Sequence, residues 1–329
     1  MKKIAILLVF SFIFLGQLSA QKDLTLTYEG SPIEGSLYNK VGYLDSRSGQ
    51  INLGYVKGGF MSGFDNVVDN PPIAVQLGSL MESMIDQTAS EGTLLIQLRY
   101  YKFYINDDKG VCRLRLNLYK QETDSYYFIN RIDTLIETKT KEILKDGADL
   151  LVNVIANNLT ATPLGNVPFD LAQIQNIDDF EKEDIPVYVN KTFIDGLYPT
   201  FESFINQEPD TRTLQTKIKK TELKEVKIQG TEPGKWRKLE PEHIYAVVID
   251  GKLYISYNNK YYMGYFDGND IKFSYQRSAG TSVQGVSVGF GAGTGGYRGG
   301  GIGITFGSGP KETVIMKIDH IDGGADVAN

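Results

Sequence analysis

The sequence predicts an α+β protein with an N-terminal antiparallel sheet, two helices on one face of it, and a C-terminal, mainly antiparallel β meander with a Gly-rich hairpin or loop. Three observations predict this class. Two segments of the first half have apolar residues at helical spacing. Three segments between them alternate with a period of two. In the second half, short polar turns separate further alternating segments. The residues are 41% hydrophobic and 22% charged, which is typical of a folded protein. The length of 329 residues suggests two domains.

Residues 1–20 are organised like a secretory signal peptide. Lys2 and Lys3 precede an apolar run over 4–16, and the small residue Ala20 stands at the expected cleavage position. The run is shorter than the roughly 20 residues of a membrane span, and no cysteine follows it as a lipidation site. We expect export to the periplasm, the outer membrane or the exterior of a Gram-negative bacterium. An uncleaved anchor is the alternative.

The elements of the predicted α+β domain, residues 21–160, follow from periodicity. Residues 24–29 and 37–56 supply one or two strands, and a helix over 73–90 has apolar residues on one face. Three strands joined by short polar loops come next, at 94–105, 111–120 and 126–138. A second helix covers roughly 139–159. This order predicts a sheet with helices on one face.

The same order of elements resembles that of known periplasmic domains. Over about 35–160 it is similar to the α/β domains of ABC-transporter auxiliary lipoproteins and lipopolysaccharide-assembly lipoproteins, and to the curli-secretion lipoprotein domain. The resemblance lies in the order of the elements and carries over no functional residue.

Residues 161–184 are predicted to be a linker, and residues 185–329 a β-rich domain. Thr200 is placed to cap a short helix. Residues 211–228 alternate like a strand, and Asp250-Gly251 and Asn258-Asn259 predict tight hairpin turns between the strands that follow. The last predicted strand is 313–318.

Two phrases of this domain resemble a known group of proteins. The segment Gly196-Leu197-Tyr198-Pro199-Thr200-Phe201-Glu202-Ser203-Phe204 and the aromatic strand 244–255 are similar to those of uncharacterised secreted Bacteroidetes proteins. The resemblance covers about 187–322 and includes a Gly-rich tract before the last strand. It implies a lineage and a fold, but no activity.

Residues 280–309 form a Gly-rich tract with 13 glycines. It contains a formal GxGxxG over 291–296, but no helix pattern follows, so we reject a dinucleotide site. Apolar residues alternate with small ones in two stretches, and three interpretations stay open: a flexible loop, a closely packed hairpin, or a membrane-inserting hairpin of an oligomer. The apolar residues of the predicted hairpin are Val286, Val288, Phe290, Ile302, Ile304 and Phe306.

Composition excludes several function classes. Two histidines and one cysteine are too few for a zinc ribbon, a three-His metal site or an iron–sulfur cluster, and we expect no cofactor and no metal. A net charge of −6 disfavours nucleic-acid binding. We interpret His243 and His320 as surface residues at strand ends, since neighbouring Asp319 and His320 on a strand point to opposite faces. Cys112 is interpreted as a small buried apolar residue.

The tyrosines of the C-terminal hairpins are the remaining candidates. A tyrosine-lined sheet face can bind a sugar or a partner protein, although aromatic residues also simply favour strands. The predicted interaction surface consists of Tyr245, Tyr254, Tyr257, Tyr261, Tyr262 and Tyr265.

The sequence thus predicts an exported, non-catalytic envelope protein that acts as an interaction or structural module. Its expected partners are other envelope proteins, with membrane contact and an oligomer possible through 283–307. One alternative is a subunit of an oligomeric transport or pore complex that uses the Gly-rich hairpin. Another is a hydrolase whose catalytic carboxylates cannot be paired from sequence.

Overall fold

The computed structural model describes residues 21–328 except 48–51, 59–62, 107, 231, 233 and 279–310. The chain divides into two compact units, of which unit 1 ends at Leu171 and unit 2 begins at Ala172. The α+β class is confirmed, with a mixed sheet in unit 1 and antiparallel sheets in unit 2. The predicted signal peptide and the predicted hairpin residues Val286 to Phe306 lie outside the described residues. Among the described residues, no helix has the length and apolarity that crossing a membrane requires.

Unit 1 is a seven-stranded sheet with two helices. The strands follow the order β1-β4-β3-β5-β6-β7, and β2 also pairs with β5. The elements in chain order are β1 (Gln21–Asp23), β2 (Lys40–Asp45), β3 (Asn52–Lys57), β4 (Phe64–Val68), α1 (Ile73–Met84), β5 (Thr93–Asn106), β6 (Lys109–Glu122), β7 (Ser125–Lys139) and α2 (Ile143–Ala156).

This sheet is mixed, so the prediction of an antiparallel N-terminal sheet is wrong in part. The meander β5-β6-β7 is antiparallel as predicted. In contrast, β5 pairs in parallel with β2 and with β3, and β1 pairs in parallel with β4. The physical reason is the reversal of the chain at the β3–β4 hairpin. The antiparallel strand β4 returns the chain to the end of the sheet at which β3 began. The strand β5, which follows after α1, starts from that end and so runs parallel to β3.

Both helices pack on the same apolar core. Leu77 of α1 and Leu151 of α2 are buried together with Ile96 of β5 and Leu116 of β6. Gly147 lets α2 approach the sheet, since a Cβ there would lie 2.3 Å from the ring of Phe103.

The opposite face of the sheet contains a buried polar network. Gln97, Asn117 and Tyr119 are fully buried. The Asn117 amide and the Tyr119 hydroxyl both donate to Gln97 Oε1, at 3.2 and 3.1 Å. Arg131 donates to the Asn117 oxygen. A polar network buried in this way stabilises a fold only when its members find partners, as these do.

Unit 2 contains a seven-stranded and a three-stranded antiparallel sheet. The larger sheet has the order β17-β16-β15-β14-β13-β12-β8 and the smaller one β11-β10-β9. The elements are α3 (Leu171–Gln175), α4 (Ile177–Lys182), α5 (Pro186–Asn190), β8 (Gly196–Tyr198), α6 (Phe201–Ile205), β9 (Leu214–Lys219), β10 (Glu222–Gln229), β11 (Trp236–Leu239), a 3-10 turn (Pro241–His243), β12 (Ala246–Ile249), β13 (Lys252–Tyr257), β14 (Lys260–Asp267), β15 (Asp270–Ser278), β16 (Lys311–Ile318) and β17 (Ala325–Val327). The stretch predicted to be a linker therefore holds α3 and α4.

Local signals of the sequence explain several of these elements. The two predicted hairpin turns require positive φ at both central residues. Asp250 and Gly251 in the first turn, and Asn258 and Asn259 in the second, all have positive φ. The Thr200 hydroxyl accepts from the Ser203 amide at 3.1 Å and caps α6.

The larger sheet has a core on each face. On one face, Phe204 of α6 packs with Tyr245, Tyr257 and Phe273 of the sheet. On the other, Val226 of β10 and its neighbours pack against Val247 of β12. The undescribed stretch 279–310 is inserted between β15 and β16, whose end residues Ser278 and Lys311 are register partners. The sheet can therefore form around that insertion.

Candidate functional site

The turn after β16 and the short helix α4 bring a histidine against a carboxylate. Asp178 and Glu181 lie three residues apart on α4 and so share a face of the helix. The His320 side chain is only 4% exposed, and its Nε2 lies 2.8 Å from Glu181 Oε2. The interpretation of His320 as a surface residue is therefore wrong. The 319–324 turn, closed by a hydrogen bond from Asp319 N to Gly324 O, brings it into the protein.

We call Asp178, Glu181 and His320 the His320 cluster. One potential ligand atom of each residue lies within 4.8 Å of those of the other two. Asp178 is exposed, Glu181 is partly buried and His320 is buried, so the group opens to solvent on the Asp178 side. An imidazole nitrogen with two carboxylate oxygens is a donor set that proteins use for zinc and related cations.

The same helix supplies the lysine of a buried ion pair with β15. The Lys182 side chain is buried, and its ammonium lies 2.7 Å from Asp270 Oδ1, to which Lys317 also comes within 3.0 Å. Burial alone would raise the pKa of Asp270. Hydrogen bonds and charge from Lys182 and Lys317 outweigh it, and the pKa lies below its ordinary value.

The Tyr188 hydroxyl on α5 is buried and has no hydrogen-bond partner among the described residues. Burial raises the pKa of Tyr188, and the carboxylates of Asp319, Asp270 and Asp178 raise it further. The Lys182 ammonium lies 5.5 Å from the centre of the Tyr188 ring.

The tyrosines predicted to form one interaction surface are divided between the two faces of the sheet. Four of the six are buried: Tyr245, Tyr254, Tyr257 and Tyr261. Tyr245 and Tyr257 belong to the core beneath α6, whereas Tyr254 and Tyr261 face the three-stranded sheet. Tyr262 is partly buried against the ring of Phe273, and Tyr265 is 41% exposed. The six side chains therefore serve mainly as core.

The three-stranded sheet is strongly basic. Residues 214–239 contain eight Lys or Arg and three Glu, a net charge of 8 − 3 = +5 in a chain whose total is −6. Its exposed edge strand β11 begins with Trp236, which is 40% exposed and flanked by Lys235 and Arg237. The net charge of −6 for the whole chain hides this segregation of basic residues into one sheet.

Some of these basic side chains are already paired. Lys224 contacts Glu222, Lys227 contacts Glu225, Lys235 contacts Glu232, and Lys238 contacts Glu240. Four others are exposed and form no salt bridge within the described part of the chain: Lys217, Lys219, Lys220 and Arg237.

Cys112 and His243 are the remaining nucleophile and base candidates. Cys112 is buried in unit 1, and burial raises the pKa of its thiol, which keeps the thiol protonated. The His243 side chain is exposed, with its Nε2 4.0 Å from Glu242.

Comparisons with known proteins identify no family for this chain. No protein-family model matches it, and no curated protein matches it. Among solved structures, the crystal structure of protein XCC0632 from Xanthomonas campestris, of the family DUF330, aligns over 43% of this chain and 93% of its own. The sequence identity is 10% and the TM-score is 0.29, a likeness too small to establish a common fold or to carry a function.

Proposed function

We propose that this protein is an exported, non-catalytic interaction module of the cell envelope that binds the anionic headgroups of a membrane surface through its three-stranded sheet. The observation that carries the proposal is the basic sheet itself, with its exposed Trp236. Basic residues near an anionic membrane each contribute about 1 kcal/mol to binding. Tryptophan favours the membrane–water interface, where its ring meets the headgroups.

The geometry of β11 supports a lipid surface over an acidic protein. Trp236 and Lys238 alternate with the buried Leu239 on the edge strand and so lie on the outward face of the sheet, which they share with Lys217 on β9. The aromatic ring and these charges can therefore meet the same surface. Lys217 and Lys219 lie on β9, the other edge of the same sheet, and Lys220 follows in the turn. An indole ring beside cations suits a membrane surface, where the ring can enter the boundary between headgroups and acyl chains while the cations bind the headgroups. An acidic peptide would need only the cations.

The test is co-sedimentation of the purified protein with phosphatidylglycerol-containing vesicles and with purely phosphatidylcholine vesicles. We expect binding to the anionic vesicles alone, a blue shift of Trp236 emission, and weakening by salt. The triple variant Lys217→Gln, Lys219→Gln, Lys220→Gln should lower the partition coefficient by about 100-fold, because three charges of about 1 kcal/mol each are lost.

A matched control changes the same charge elsewhere. Lys22→Gln, Lys57→Gln, Lys141→Gln removes three exposed lysines from unit 1 and should leave the partition coefficient within about threefold, the effect of net charge alone. Equal losses in both triple variants would contradict the proposal. Binding of inorganic phosphate in place of vesicles would show an anion site without lipid specificity and would also contradict it.

A deletion separates this proposal from a pore that uses the Gly-rich tract. Ser278 and Lys311 are register partners, so residues 279–310 can be replaced by an Asn-Gly turn. If the three-stranded sheet binds the membrane, the deletion variant sediments with anionic vesicles like the intact protein. If binding is lost, the tract is the binding element and the proposal is wrong.

A further inference from the structure

The His320 cluster has features that a structural ion pair does not require. A single carboxylate suffices to satisfy the His320 Nε2, and Glu181 lies 2.8 Å from it. Yet Asp178 places a second carboxylate oxygen within 4.8 Å of both groups. Three potential ligand atoms this close together are within reach of one cation.

A second observation comes from outside this group. The Tyr188 side chain is 4% exposed, and its hydroxyl has no partner among the described residues. Buried hydroxyls in native proteins nearly always have a hydrogen-bond partner, so an orphaned one calls for an explanation. Besides burial, the charges of Asp319, which precedes His320 in the chain, and of Asp178 raise the pKa of this hydroxyl. A bound water would supply the partner that the hydroxyl lacks.

We propose that Asp178, Glu181 and His320 bind a divalent transition-metal cation of the zinc class, with a water as the fourth ligand, hydrogen-bonded to Tyr188. The imidazole selects zinc-like cations, because calcium and magnesium prefer all-oxygen sites with six or more ligands. Two carboxylates and a neutral imidazole also match the double charge of the cation.

The geometry needs only a small adjustment. Tetrahedral zinc with bonds of about 2.0–2.1 Å separates neighbouring ligand atoms by about 3.3 Å. The Glu181–His320 contact of 2.8 Å would therefore open by about half an ångström. The exposed Asp178 side chain can rotate to close the site, and solvent reaches the cluster from that side. The nearby Lys182 ammonium is paired with Asp270, so its charge is already balanced.

The site is independent of the membrane proposal, since α4 and the 319–324 turn share no residue with β9–β11. The experiment titrates the purified, chelator-treated protein with Zn²⁺ by calorimetry, and in parallel records the imidazole nitrogen resonances by NMR. The chain has two histidines, so each signal can be assigned with one variant. We expect one Zn²⁺ per chain, with a shift of the His320 resonances and none of His243. Ca²⁺ should produce no such shift.

Matched variants test the ligands. Asp178→Asn, at an exposed position, should weaken zinc binding at least tenfold, whereas Asp179→Asn, on the next residue, should leave it within about twofold. His320→Gln should abolish binding and His243→Gln should not. Unchanged affinity in Asp178→Asn, or a calorimetric titration with no His320 shift, would overturn the proposal. Because Asp178 is exposed, this variant remains informative even if His320→Gln fails to fold.

Discussion

The ion pair of Lys182 and Asp270 leads to the sharpest prediction about stability. Asp270→Asn should destabilise unit 2 by about 3 kcal/mol, because it leaves a buried ammonium without its counter-charge. The Lys182 side chain is 4% exposed and lies 2.7 Å from Asp270. Its second carboxylate, Asp179, is 3.5 Å away and 54% exposed, so it compensates little. Because Asp179 still leaves one negative charge near the ammonium, we expect the loss of unfolding free energy to lie at the lower end of the 3–5 kcal/mol typical of a broken buried pair.

The reverse substitution should cost much less. In Lys182→Met the carboxylate keeps Lys317 at 3.0 Å, and it is itself 23% exposed. Methionine retains most of the apolar stem, so we expect a loss of about 1 kcal/mol. The prediction is therefore an asymmetry between two partners of one contact.

Urea unfolding followed by tryptophan emission measures both changes. Trp236 is the only tryptophan of the chain and belongs to unit 2, so the signal reports on that unit. With a slope of about 2 kcal/mol per molar urea, the midpoint should fall by about 1.5 M in Asp270→Asn and about 0.5 M in Lys182→Met. If Lys182→Met is as costly as Asp270→Asn, the reasoning from an uncompensated buried charge is refuted.

Four further predictions concern pH, packing and the reactivity of a thiol. The pKa of Asp270 is lower in the folded than in the unfolded protein. Its carboxylate therefore stabilises the folded protein above the unfolded pKa of about 3.9, and this stabilisation is lost as the pH falls through the lower folded pKa. The urea unfolding curves of the wild type and of Asp270→Asn should accordingly converge below about pH 4. Gly147→Ala should destabilise unit 1 by about 1–3 kcal/mol in thermal unfolding followed by circular dichroism, because its Cβ would meet Phe103 at 2.3 Å. Gly78→Ala, with open space around it in α1, should stabilise by up to about 1 kcal/mol, and a loss there would contradict the argument. Cys112 should resist a thiol reagent until the protein unfolds, and rapid labelling of the folded protein would show that the thiol is not buried.

The elements whose signals are local could be predicted from sequence. The meander strands at 93–106, 109–122 and 125–139 match their predicted positions to within two residues. The predicted helix over 73–90 is shorter in the structure and ends at Met84. Ile85 continues the apolar periodicity, but a bridge to Ile33 holds it in extended conformation. This tertiary pairing overrides the helical pattern.

The features that depend on distant residues could not be predicted. The parallel pairing of β2 with β5 joins residues about 50 positions apart, and nothing in either strand specifies the direction. Residues 211–228 read as one strand, but they form β9, a turn with Lys220 at positive φ, and β10. The contact of Glu181 with His320 joins two short segments that separately resemble a solvated acidic stretch and a strand end.

The distance along the chain between Glu181 and His320 also has a consequence for biosynthesis. These residues are 139 positions apart, at the first and the last parts of unit 2. A polypeptide that emerges from a ribosome or a translocation pore with its N-terminus first presents α4 long before the 319–324 turn. Unit 1 has by then emerged in full and can fold as a domain. Unit 2 can complete its fold only after its last residues have emerged. Until then its unpaired strands are exposed to chaperones and proteases.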